Sequence, residues 1–246
     1  MILRNELLRY LNEYLAIADF DDYGPQGLQV EGREEIDKIA TGVSLCVQLL
    51  ERAAAMDADA VIVHHGLLWD KESHVVKGSF KKRLKLLLQH DMNLFAYHLP
   101  LDKHPVVGNN AMAANAFGLK DSKSFGHVGV QGAIELCSFE ELLHNVQRYY
   151  QTDPLVFPFG PSKINRIAIS SGAAQRDITL AIENGLDAYI TGEVSEAVMH
   201  LAREGHIHFF AAGHYATEKP GIIALGDHIA ARFPVQVTFI DVPNPV

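Results

Sequence analysis

The chain has 246 residues, of which 48% are hydrophobic and 21% charged. That balance excludes a disordered polar chain or a collagen-like fibre, and the length allows one large or two small domains. The formal charge of −9 argues against broad non-specific nucleic-acid binding, which needs a basic footprint.

Residues 4–17 carry apolar side chains at Leu7, Leu8, Leu11, Tyr14 and Leu15, the spacing of a helix with one buried stripe. Gly24-Pro-Gln-Gly27 breaks it, and Leu28-Gln-Val-Glu-Gly32 reads as a short strand. These glycines lack the spacing of a phosphate-binding fingerprint and read as a plain turn. A strand over 39–43, a helix over 46–57, a continuous apolar strand over 60–63, a helix over 79–90 and a strand over 94–97 follow. That alternation predicts a mostly parallel sheet flanked by helices, with the 60–63 strand covered on both faces. A helix is expected from Asn109 to Phe117, a strand from Val128 to Leu136, and a capping box, Ser138-Phe-Glu-Glu141, opening a helix to Tyr150. Pro154, Pro158, Gly160 and Pro161 read as a linker. The expected domains are 1–122 and 123–246, with the boundary somewhere in 118–162.

The first half recurs in the second. Lys38-Ile-Ala and Arg166-Ile-Ala, and Asp59-Ala-Val-Ile and Asp187-Ala-Tyr-Ile, share one offset of 128. At an offset of 116, Tyr97-His98 meets Gly213-His214 and Asp102 meets Glu218. The difference implies about a dozen extra residues in the first half, near Trp69–Phe80. The fold class expected is therefore α/β, as two similar domains related by an internal repeat. Ligands in open parallel sheets gather at the carboxyl ends of strands, where His64, His65, His98, Glu193 and His214 fall.

Among the thirteen histidines, His74, His90, His127, His144, His206 and His228 read as hydrogen-bonded core or surface residues. His64-His65 differs. Neighbours on a strand point to opposite faces, so they share a metal only if the strand ends and turns there; otherwise they serve two metals, or one is a ligand and the other a wall. Asp102 and Glu218 add hard oxygen donors, and imidazole with carboxylate suits Zn, Mn, Fe or Co. A carboxylate also bridges two ions in two-metal hydrolases. Lys77, Lys81, Lys82, Arg83 and Lys85 form the densest basic cluster. It reads as a solvated helix face, with a phosphate-binding rim the sharper alternative.

Cys46 and Cys137 form no disulfide framework and suit a reducing compartment. The first residues lack a signal-peptide core, and no stretch nears the ~18 apolar residues of a membrane span. The expectation is a cytoplasmic protein without a membrane partner.

Six motifs in order carry a family resemblance: Tyr23-Gly-Pro-Gln-Gly-Leu-Gln-Val-Glu-Gly32, Val63-His-His-Gly66, His98-Leu-Pro-Leu-Asp102, Gly108-Asn-Asn-Ala111, Thr191-Gly-Glu-Val-Ser-Glu196 and Gly213-His-Tyr-Ala-Thr-Glu218. Together they resemble the YbgI-type, Nif-three-like proteins labelled GTP cyclohydrolase 1 type 2 homologues. The resemblance implies two similar α/β domains, a ring-shaped homohexamer and a dinuclear centre of two divalent ions per chain (Fe, Zn, Mn or Co). The matching metal ligands are His64, His65, Asp102, His214 and Glu218, with Glu218 as the bridge. His98 and Glu193 match other motif positions and are candidates for proton transfer or for the pocket around the metals. Tyr215 stands where many relatives have a second His, and Lys219-Pro220 where Arg and a small residue are common. Pro220 is expected at the start of the following helix, where its missing N–H is tolerated.

The resemblance thus implies a metal-dependent hydrolase of a nucleotide-like substrate, in its specific form opening a purine ring at C8 with loss of formate. The alternative is a ring-shaped metal-binding scaffold or adaptor with little catalysis. A nucleic-acid partner is not favoured by the net charge.

Overall fold

The computed structural model describes residues 1–73 and 75–246; His74 lies outside the described residues. By contacts the chain divides into two compact units, residues 1–101 with 221–242, and residues 102–220 with 243–246. This differs from a cut at 122/123, because the chain leaves the first unit early and returns to it late.

In the first unit β1 (Ile2–Leu3) leads into α1 (Arg4–Tyr14), which buries Leu7 and Leu11. The helix ends earlier than expected: Ala16 turns left-handed (φ 50°) and Ile17–Asp19 forms a short 3-10 turn. There follow β2 (Gly27–Val30), β3 (Glu35–Ile36), β4 (Lys38–Ser44), α2 (Val47–Ala55), β5 (Ala60–His65), α3 (Gly78–Gln89), β6 (Asn93–Ala96) and α4 (Leu99–Lys103). The sheet runs β2-β6-β5-β4, parallel except for β2. One face of the sheet, with Ala40, Val61, Val63 and Leu94, packs on Leu49, Leu50 and Leu87 of α2 and α3. The alternating Ile39, Ile62 and Phe95 are wholly buried too, as a doubly covered parallel strand requires. Lys81, Lys82 and Lys85 lie exposed on α3, the solvated-face arrangement.

The second unit holds α5 (Asn109–Ala116), β7 (Lys120–Phe125), β8 (Gly129–Cys137), α6 (Phe139–Tyr150), β9 (Leu155–Pro158), β10 (Ile164–Ser170), α7 (Ile178–Glu183), β11 (Ala188–Thr191), α8 (Glu196–Glu204), β12 (His208–Ala211) and the start of α9 (His214–Arg232). Its sheet is ordered β7-β8-β10-β11-β12-β9, parallel at β10-β11-β12 and antiparallel outside them. Ile167, Ile169, Ile190 and Phe210 pack with Leu142 and Val146 of α6 on one face. Ala168, Tyr189 and Phe209 pack with Ile178 and Val198 on the other. Ser138 and Glu141 form the expected capping box.

Three expectations need correction. Residues 155–158 are not a linker: they form β9, the edge strand beside β12, with Pro158 at its end opposite His208, a place where a missing N–H is tolerated. Pro220 is not at a helix start, because α9 begins at His214 and Pro220 lies inside it. The chain passes from the second unit to the first at that residue, and β13 (Gln236–Phe239) then adds parallel beside β4.

The third concerns the repeat. Its first offset is matched bond for bond. Asp59 Oδ2 accepts from the backbone N–H of Asp37 and Lys38 (both 2.8 Å), and Asp187 Oδ2 from Asn165 and Arg166 (2.9 and 2.8 Å). The second offset is 115, not 116. Asn93 N–H donates to Asp59 O as His208 N–H does to Asp187 O, and α4 opens at Leu99 as α9 opens at His214. His98 is therefore the counterpart of Gly213, and His214 of Leu99; the two histidines are not equivalent.

Candidate metal-binding residues

β5 ends at His65, paired with Ser44 at the end of β4. The strand stops there, so the adjacent rings of His64 and His65 do not stay on opposite faces; their centroids are 4.7 Å apart. His98, two residues past β6, brings its ring to 5.1 Å from His64 and 5.5 Å from His65. One ring nitrogen from each of the three lies within 4.8 Å of the others, a group able to hold a metal ion.

In each ring Nδ1 has a protein partner. The buried His64 meets the Tyr97 carbonyl oxygen at 2.9 Å, His65 the Ser44 hydroxyl at 2.8 Å, and His98 an Asp22 carboxylate oxygen at 2.7 Å. A carbonyl or carboxylate can only accept, so His64 and His98 carry their proton on Nδ1, which makes Nε2 the electron-pair donor of the neutral ring. Asp22 is one of the residues that the sequence motifs do not point to. Burial pushes its carboxyl up, but the hydrogen bond and charge of His98 and the N–H groups of Tyr23 and Leu99 outweigh that and hold it below its ordinary value.

Asp102, where the second unit begins within α4, is 3% exposed. The Asn109 amide (2.9 Å) and the Ser171 hydroxyl (2.6 Å) both donate to its Oδ1. Gly213, at φ +97°, makes the left-handed turn that delivers the chain from β12 into α9. His214 and Glu218 then share one face at i, i+4. Asp102 and Glu218 offer carboxylate oxygens within 4.8 Å of each other. His214 Nδ1 meets Glu193 Oε1 at 2.7 Å, while its Nε2 is 3.0 Å from Glu218 Oε1. Burial alone would depress this imidazole, but the hydrogen bonds and charges of Glu218 and then Glu193 raise it to about 9.

The chemistry of this donor set suits a cation. Nε2 of a neutral His214 and a carboxylate oxygen of Glu218 are both electron-pair donors, and at 3.0 Å they need a proton or a metal ion between them. The pattern of Nδ1 bound to a protein acceptor with Nε2 as ligand is that of metal-binding histidines. Nitrogen and carboxylate donors without thiolate fit Zn, Mn, Fe or Co.

The Duf34/NIF3 (NGG1p interacting factor 3) family profile matches residues 2–245. The chain belongs to this family. Duf34/NIF3 relatives include a Yersinia pestis protein named "GTP cyclohydrolase 1 type 2 homolog", 45% identical over 99% of this chain and 100% of its own length. An Escherichia coli K12 protein of the same name is 44% identical, with 98% of each chain covered. Among solved structures, one described as protein ybgI, unknown function, aligns over 100% of both chains with a TM-score of 0.96 and 43% identity. A Thermus thermophilus protein, TTHA1606, aligns over 100% of both with a TM-score of 0.93 and 34% identity.

Other histidines take part in ordinary packing. His228 stacks on Tyr14 at 4.1 Å and its Nε2 meets the Tyr10 hydroxyl at 2.6 Å, and His208 Nε2 reaches the Pro161 carbonyl. Among the described residues no helix is long and apolar enough to cross a membrane.

Proposed function

We propose that this Duf34/NIF3 chain is a dinuclear-metal-dependent hydrolase acting on a nucleotide-like substrate, with His64, His65, Asp102, His214 and Glu218 as ligands and Glu218 as the bridge. The observation that carries the reading is the 3.0 Å approach of His214 Nε2 to Glu218 Oε1, with Nδ1 of the same ring already given to Glu193. The names of the relatives support the nucleotide class.

When bound, divalent cations acidify water at neutral pH and polarise the atom under attack. The chain's own residues do the rest. Tyr97 O and Ser44 orient His64 and His65. His98, gripped by Asp22, offers Nε2 for proton transfer. Glu193 holds His214 through Oε1 and stays, with His98, a candidate for proton transfer. Trp69 stands at right angles to His98, 5.2 Å away, and packs beside the ring.

The test is elemental analysis of anaerobically purified protein, with formate release from GTP followed alongside. The expected result is about two ions per chain and metal-dependent turnover that Glu218→Gln abolishes. Metal without formate from GTP removes the cyclohydrolase form. Metal without turnover of any nucleotide leaves the metal-binding scaffold as the reading. Protein that takes up no metal after reconstitution overturns the ligand set.

A further inference from the structure

Just past β10 the chain runs Ser171-Gly172, outside the six recognised motifs. Both residues touch candidate ligand carboxylates. Ser171 Oγ lies 2.6 Å from Asp102 Oδ1 and 3.1 Å from the Asn110 amide nitrogen. The Asn110 amide also takes the Ser171 backbone N–H on its Oδ1 at 2.9 Å. Because the hydroxyl accepts from Asn110, its single hydrogen is left for the Asp102 carboxylate, which can only accept. Asp102, Asn109, Asn110 and Ser171 are all under 9% exposed, so these bonds work in a low dielectric where each is strong and costly to break.

Gly172 makes the second contact. At φ +67° it occupies the left-handed region, and a Cβ there would lie 2.3 Å from Glu218 Oε1. Its N–H is held by Thr217 Oγ1 at 3.0 Å, next to Glu218 in sequence. In the internal repeat position 172 matches Ser44, whose hydroxyl meets His65 Nδ1. The same strand end thus orients a ring in one unit and admits a carboxylate in the other.

We propose that Ser171 is a positioning residue for metal binding: its hydroxyl fixes the Asp102 carboxylate, and the Ser171-Gly172 loop sets the spacing between the Asp102 and Glu218 donors. The inference rests on the metal reading above and goes beyond it by assigning a residue that no motif contains.

The experiment titrates chelator-treated wild type, Ser171→Ala and Ser171→Thr with Zn²⁺ and with Mn²⁺ by calorimetry, and records the melting temperature of each without metal. Ser171→Ala should bind about 10–100-fold more weakly, with Ser171→Thr close to wild type; the metal-free melting temperature of Ser171→Ala falls too, because buried hydrogen bonds are lost. If Ser171→Ala does not fold, the isosteric pair Ser171→Thr and Ser171→Val makes the same comparison, the hydroxyl alone deciding affinity. Equal affinity across the variants, or a fall in metal-free stability with affinity unchanged, overturns the proposal while leaving the metal reading intact. Wild type that binds neither ion overturns both.

Discussion

At the scale of single residues, position matters more than type. Asp59 and Asp187 do the same work in the two units: one carboxylate oxygen closes the N–H groups of the residues that enter the first parallel strand. Replacing Asp187 by Ala strands two backbone donors and should cost about 1–3 kcal/mol in urea denaturation. Asp59→Ala should cost more, because the Arg33 guanidinium at 2.7 Å also loses its carboxylate and keeps only carbonyl partners. Equal, negligible costs would show that water replaces both clamps. The pair was legible in the sequence because Asp-Ala-x-Ile recurs at a fixed spacing. The candidate ligands were legible because their motifs are rare combinations of His, Asp and Glu. Asp22 and Ser171 were not: each is a common residue whose partner is about seventy positions away, and only folding brings them together.

At the scale of elements, local signals held where they were self-contained. The α6 capping box is legible in four residues and is present in full, with Ser138 N–H donating to Glu141 Oε2 at 2.7 Å. Ser138→Ala should destabilise the protein by about 1 kcal/mol at neutral pH. The hydrogen bonds from the Ser138 backbone and hydroxyl hold the Glu141 carboxyl below its ordinary value. Its stabilisation is therefore complete above the unfolded pKa of about 4.3 and is lost as pH falls through the lowered folded value. Thermal melts of wild type and Glu141→Ala should differ at neutral pH and converge as pH falls through the lowered folded value; a constant gap would mean that packing, not charge, supplies the cap. Elements defined by partners were harder to read. β7 is Lys-Asp-Ser-Lys-Ser-Phe, exposed at its first five positions, and has no apolar period to betray a strand. β9 was hidden by its prolines, which an edge strand tolerates. The start of α9 was hidden by Pro220, which lacks the N–H that would bond to the Ala216 carbonyl.

At the scale of the whole molecule, the two-unit α/β plan followed from the alternation of strands and helices and from the repeat. The late return of α9 and β13 to the first unit carries no such signal. Metal binding by the proposed ligand set acts at this scale too. Ions that bind only the folded chain stabilise it by about 2.7 kcal/mol at a hundredfold excess over Kd, which for a chain of this size is roughly 5–10 °C in Tm. Treatment with a chelator should remove that increment and added metal restore it, in a melting experiment at fixed protein concentration. Identical melts in both states would set aside the five ligands.

The pairing of β13 with β4 has a consequence for biosynthesis. Lys38 leaves the ribosome long before Gln236, and at about 5–20 residues per second the interval is roughly 10–40 s. Throughout it the outer edge of β4 stands bare, a row of unpaired N–H and C=O groups open to any passing strand. The first sheet to begin is the last to be sealed, so the nascent chain's most adhesive stage spans the whole synthesis of its second unit.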